Sequence, residues 1–210
     1  IERFVSAHVP HGEEAVIVDT GSIDGTREVL KKLSFQYPHM IIFDYNMDTY
    51  ANARNFSLEN ATKKFALVLD ADELLTEENP TNDWEKLFDL LKRNSKTTCF
   101  SFDFQNIFSG DDSEDYGGNK IRLFLRDRYK FSLPSSLVFC YEKLQGIDAT
   151  TRRMHPFQST VRIKHFLPSP QAMELKLRQW YQLSNPNACP SESPNFQEWK
   201  SYNPKRDNFQ

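Results

Sequence analysis

The sequence predicts an α/β fold with a mostly parallel central sheet and helices on both faces. Two observations carry this. Three short apolar runs of strand length, Ala15–Val18, Met40–Phe43 and Phe65–Leu69, are separated by stretches of helical periodicity. Two of them end on an aspartate, Asp19 and Asp70. A run of strand–helix units builds a parallel sheet, and such sheets bind ligands outside the carboxyl ends of their strands. Both aspartates therefore fall on the ligand edge.

Ile1–Val5 reads as a helix, with Ile1, Phe4 and Val5 on one face. Ala15–Asp19 is a buried strand. Thr20–Thr26 is turn chemistry in which Ser22 and Asp24 can cap the helix that follows, Arg27–Leu33, with Val29, Leu30 and Leu33 apolar. Met40–Phe43 is the second strand, and Tyr50–Ala61 is a helix carrying Ala51, Phe56, Leu58 and Ala61. Phe65–Leu69 is the third strand. Pro80–Arg93 is a helix whose stripe is Trp84, Leu87, Phe88, Leu90 and Leu91. Thr97–Ile107 alternates as a strand with one face in the core, Lys120–Leu125 is another, and Ser109–Gly118 between them is an acidic lid or hairpin connection. Leu137–Tyr141 and Val161–Phe166 resume the strand pattern, and Pro170–Leu183 is a last helix. The organisation expected is a domain over residues 1–183 and a polar tail over 184–210.

Composition narrows the function. At 210 residues with 39% hydrophobic and 13% aromatic content, the chain can bury a core, and its net charge of −3 gives no basic surface for nucleic acid. Cys99, Cys140 and Cys189 are odd in number and widely spaced, which points to neither a disulfide framework nor a zinc cluster. No apolar run reaches membrane-spanning length and no signal peptide opens the sequence, so the expectation is a cytoplasmic protein, or one peripheral to a membrane.

The densest chemistry is Leu69-Asp70-Ala71-Asp72-Glu73. If the strand continues to Asp72, period-two alternation points Asp70 and Asp72 to the same side. Two such charges at a strand end call for a positive partner, and a hard divalent cation with oxygen ligands, Mg or Mn, is the simplest. The plainer alternative makes Asp72 a turn cap and Asp70 a solvated strand end.

Val18-Asp19-Thr20-Gly21-Ser22-Ile23-Asp24-Gly25-Thr26, then Ala53-Arg54-Asn55, then Leu69-Asp70-Ala71-Asp72-Glu73 occur in the order and at the separations of family 2 glycosyltransferases, and the sequence resembles that family. Arg122-Leu123-Phe124-Leu125-Arg126 is similar to an Arg-Leu-Phe-Arg segment of its bacterial branch. The resemblance implies a GT-A fold and transfer of a sugar, as by a hexosyltransferase, from a nucleotide sugar such as a uridine diphosphate sugar. The acceptor would be a saccharide, lipid or protein. It implies Asp19 near the base or ribose, Arg54 against the nucleotide or its phosphates, Asp70 near ribose and metal, and Asp72 as the direct ligand of a Mn or Mg ion. A late histidine often completes the metal shell in such enzymes, and His165 is placed to do so, although a packed histidine beside Phe166 is the plainer reading. Members normally open with a strand before the first helix, so the resemblance implies a first strand lacking ahead of Ile1.

An inverting transferase needs a carboxylate at the acceptor hydroxyl. Glu142 matches in position within Cys140-Tyr141-Glu142-Lys143-Leu144, where the branch has a His before the Glu, and Asp115 is the second candidate. Trp180, Tyr181 and Trp199 are candidates for stacking on a sugar. The absent opening strand and the lost His leave a non-catalytic nucleotide-sugar-binding remnant as the alternative. A phosphotransferase of the haloacid dehalogenase type fits worse, because Leu74 stands where its Asp-x-Asp motif places a threonine.

Overall fold

A computed structural model describes residues 1–75, 80–109, 114–132, 143–147 and 156–168. The first helix, α1, is Glu2–His8, followed by a 3-10 turn at Val9–His11. Strand β1 (Ala15–Asp19) leads through α2 (Thr26–Gln36) to β2 (Met40–Asp44), and the two strands pair in parallel with Ala15 opposite Met40 and Asp19 opposite Asp44. Helix α3 (Tyr50–Asn60) starts at Thr49, whose side chain accepts from the Asn52 amide. Strand β3 is only Phe65–Leu67, and β4 (Glu73–Leu75) comes six residues later. After α4 (Pro80–Arg93) come the long strands β5 (Cys99–Phe108) and β6 (Glu114–Leu125). The remainder is short: β7 (Tyr129–Ser132), β8 (Lys143–Gly146), β9 (Phe157–Gln158) and β10 (Ile163–Leu167).

The large sheet runs β3-β6-β5-β10-β4, with β9 beside β5. Only the β5–β10 and β5–β9 pairs are parallel; β3–β6, β5–β6 and β4–β10 are antiparallel. The sheet is therefore mixed, which corrects the expectation of a mostly parallel one. The reason is local: β5 ends at Phe108 and β6 begins at Glu114, and a parallel pair needs a long crossover, whereas antiparallel neighbours need only a hairpin. The acidic segment expected as a lid or hairpin connection over Ser109–Gly118 joins the antiparallel β5 and β6, and its second half from Glu114 belongs to β6.

Helices do lie on both faces of the large sheet. On one side Trp84 and Leu87 of α4 pack with Phe100, Phe102, Phe104, Leu123 and Ile163. On the other, Ala51 and Leu58 of α3 pack with Cys99, Phe124, Tyr129 and Phe131. A third core joins α1 and α2 to the small sheet through Val5, Val9, Leu30 and Met40. An apolar cavity of about 580 Å³ is lined by β1, by residues 63–69 at β3, and by α1 and α4. Asn55 fixes α3 to β7: its Nδ2 donates to the Phe131 carbonyl and its Oδ1 accepts from the Phe131 amide, both at 2.8 Å. The expected Leu137–Tyr141 strand, the Pro170–Leu183 helix and the 184–210 tail lie outside the described residues, as do Cys140 and Cys189. Cys99 is a buried free thiol.

Candidate active site

The site forms where the turn after β3 meets β6 and β10. The strand does not persist to Asp72; it ends at Leu67 and the chain turns, with the Glu73 amide donating to the Asp70 carbonyl at 2.9 Å. Asp70 and Asp72 therefore do not share one face by alternation; they engage different partners.

Glu73 fastens this turn. Its side chain is 1% exposed, Oε2 accepts from the Asp70 amide at 3.0 Å, and Oε1 pairs with Arg122 Nη2. Its carbonyl accepts from His8 Nε2 at 3.2 Å, and β4 places it opposite His165. Burial pushes the Glu73 carboxyl above the usual carboxylate range, with Arg122 acting against it. The same burial pushes the His8 imidazole below its ordinary value. Arg122 reaches Glu73 from an irregularity of β6: Phe100 pairs with Leu123 and Ser101 with Ile121, so Arg122 is the extra residue of a bulge, a device that re-aims side chains.

Asp70 is held by cations. Arg54 Nη2 donates to both carboxylate oxygens, at 2.5 and 2.6 Å, and Arg122 Nη2 lies 3.5 Å from Oδ2. Burial raises the Asp70 carboxyl, but the charges of Arg54 and Arg122 outweigh it and hold it below its ordinary value. Arg54, expected against the nucleotide or its phosphates, is in direct contact with Asp70.

Asp72 is more open. Its backbone carbonyl accepts from the Phe166 amide at 2.8 Å, and Oδ2 lies 3.7 Å from His165 Nε2. His165 Nδ1 donates to Asn106 Oδ1 at 3.1 Å, so in the neutral ring Nε2 turns its lone pair toward Asp72. A lone pair and a carboxylate facing each other at this distance are complementary to a cation between them. Among the described residues no group of three His, Cys, Asp or Glu side chains comes together as a metal shell. A carboxylate and an imidazole could supply two ligands of a manganese-like ion whose other positions are filled by water and phosphate oxygens.

Asn106 is kept in place by Gly117. A Cβ at Gly117 would sit 2.7 Å from Asn106 Oδ1, so only glycine leaves room for the amide that orients His165. Gly117→Ala is expected to swing Asn106 away while leaving the melting temperature within about 3 °C, because the clashing atom ends a flexible side chain. The ¹⁵N resonances of the His165 ring report it; an unchanged Nδ1 signal would refute the link.

Asp19 closes β1. It is buried, and its Oδ1 accepts from the Gly21 and Ser22 amides at 3.3 and 3.0 Å. Burial raises its carboxyl, but these bonds outweigh it and leave the group below its usual value. Gly21 and Gly25 take φ of 106° and 86°, the left-handed region that suits glycine in so tight a loop. Gly25, not Ser22 or Asp24, is the N-cap of α2; Asp24 accepts from the Thr26 amide.

Of the acceptor-side candidates, Asp115 lies on β6 opposite Asn106, so the strand brings it to the His165 end of the site. Glu142, Trp180, Tyr181 and Trp199 lie outside the described residues. The sequence reading did not assign Glu73, Arg122 or Asn106 to the site. The Arg-Leu-Phe segment was the one signal for Arg122.

A family model described as glycosyl transferase family 2 matches residues 10–149. Two solved structures of TarS from S. aureus match this chain, each with 12% sequence identity and a TM-score of 0.47. The first covers 93% of this chain and 40% of its own, and the second, TarS 1–349, covers 98% and 68%. The chain thus spans well under half of the longer TarS chain. No curated protein matches. No helix among the described residues is long and apolar enough to cross a membrane.

Proposed function

The chain belongs to glycosyl transferase family 2, and from that premise we propose that it moves a sugar from a nucleoside diphosphate sugar, a uridine diphosphate sugar in the first instance, to a hydroxyl acceptor. One observation carries the reading: a turn fastened through buried Glu73 directs Asp70 to Arg54 and Arg122, and Asp72 to His165. Arg54 is a guanidinium able to meet a phosphate, and Asp70 fixes its position. Asp72 and His165 would hold a Mn or Mg ion together with the donor's phosphates. When bound, such an ion neutralises the charge that grows on the leaving diphosphate. In the transfer step the acceptor oxygen bonds to the anomeric carbon and the bond from that carbon to the diphosphate oxygen breaks. The hydroxyl proton passes to a carboxylate, for which Glu142 and then Asp115 are the candidates, and the nucleoside diphosphate departs. Asp19 would border the nucleoside.

Calorimetry with uridine diphosphate and Mn tests this. Binding is expected, and Asp72→Ala is expected to weaken it about 10-fold or more, the scale of losing a ligand to a charged group. A parent that binds no nucleoside diphosphate, or an Asp72→Ala variant that binds as the parent does, overturns the proposal. Turnover of a donor distinguishes an enzyme from a binding remnant.

A further inference from the structure

Lys120 lies on β6 beside the carboxylate cluster and is absorbed by none of it. Its Nζ is 4.5 Å from the centroid of the Phe104 ring, and the Arg122 guanidinium carbon is 5.2 Å from the same ring. The edge of that ring also meets His165, with centroids 6.2 Å apart. Buried Phe104 is therefore a floor on which two cations and the histidine of the site stand.

The cations differ in what they are committed to. Arg54 is spent on Asp70, and Arg122 on Glu73 and Asp70. Among the described residues the Lys120 ammonium makes no hydrogen bond or ion pair, and it lies over the Phe104 ring. Desolvation of the amine, then the like charge of Arg122, hold its pKa below the ordinary lysine value despite the attraction of Glu73 and Asp70. Those two carboxylates attract it from a distance while their oxygens accept from arginines, and Glu73 also from the Asp70 amide. Lys120 as a residue is still exposed, so an incoming group can reach it. A partly desolvated ammonium that is ion-paired to no described residue favours an anion from solution.

We propose that Lys120 is a substrate-binding residue whose ammonium pairs with the diphosphate of the donor. This rests on the reading of the chain as a nucleotide-sugar transferase. Negative charge on the diphosphate grows as the sugar leaves, so a cation placed there binds the departing group more strongly than the intact donor. Lysine suits the task, since a point charge on a flexible stem follows the phosphate as it moves.

Lys120→Met and Lys120→Arg separate this from a structural role. With Mn present at low ionic strength, uridine diphosphate binding is followed by calorimetry and uridine binding by ligand-observed NMR. Lys120→Met is expected to weaken uridine diphosphate about 10- to 100-fold, to leave uridine unchanged and to melt with the parent, and Lys120→Arg to recover most of the loss. Diphosphate binding within about 2-fold of the parent overturns the assignment and leaves the transferase reading standing. Equal losses for uridine and its diphosphate also overturn it, because they report a distorted pocket. A parent that binds no nucleoside diphosphate removes the transferase reading and this assignment with it.

Discussion

Arg122→Met is expected to destabilise the protein by about 3–5 kcal/mol, the scale of breaking a buried ion pair by removing one partner. Glu73 is 1% exposed and Arg122 8%, so the carboxylate left behind has no access to water. For a domain of this size that loss corresponds to a melting temperature lower by about 6–20 °C, read by thermal unfolding at neutral pH. The direction with pH follows from Glu73, whose carboxyl is already raised by burial. Without Arg122 the folded-state value rises further, and an acid with a raised folded value holds more protons folded than unfolded. Stability then falls as pH climbs from the ordinary glutamate value, about 4.3, toward the raised one. The deficit of the variant should therefore grow from about pH 5 to pH 8. Adding Glu73→Gln removes the buried charge and should return part of the loss, giving a coupling measurable in a double-mutant cycle. A single variant melting within about 3 °C of the parent at pH 8 would show that the pair does not hold the turn.

The fold was legible where one strand sufficed to state its own environment. The runs Ala15–Asp19 and Met40–Asp44 are apolar, uninterrupted and joined by a helix, and they form the parallel pair that this pattern implies. Helices α2, α3 and α4 form where their apolar residues read as helical. The pairing of the later strands was less legible, because alternation tells which face is buried and not which neighbour is chosen. The short β4 was missed for a related reason. Glu73-Leu74-Leu75 is a strand only because β10 pairs with it, and three residues carry no period. The motifs named Asp19, Arg54, Asp70 and Asp72 as candidates, each from a short local stretch of sequence. The parts that fix them are not local. Arg122 finds Glu73 across 49 residues, and His165 finds Asn106 across 59. Glycine at 117 reads in the sequence as loop chemistry, whereas its use is to make room for Asn106.

Asp70→Asn is expected to lower turnover of a nucleotide sugar about 10²–10³-fold, the scale of losing one preorganised electrostatic group. The argument runs through Arg54. Its Nη2 donates to both oxygens of Asp70, and an amide offers one oxygen and turns an N–H toward the guanidinium in place of the other. Arg54 then loses the anchor that directs it, and its side chain, 11% exposed, keeps a charge with half its acceptor gone. The effect on folding should be smaller, about 1 kcal/mol, because the Asp70 side chain is 42% exposed and solvent screens the pair. Its pH dependence has a defined sign. Arg54 and Arg122 hold the Asp70 carboxyl below its ordinary value in the fold, with burial opposing them, so the unfolded chain takes up this proton first. The stability Asp70 contributes is complete above the unfolded value, about 3.9, and is lost as pH falls through the lower folded one. Parent and variant should therefore differ by a constant amount from about pH 5 to 8 and converge below about pH 4. Chemical unfolding across this range measures it. A gap that persists at about pH 2 would place the effect of the substitution in packing, and an undiminished turnover would remove Asp70 and the arm it anchors from the catalytic site.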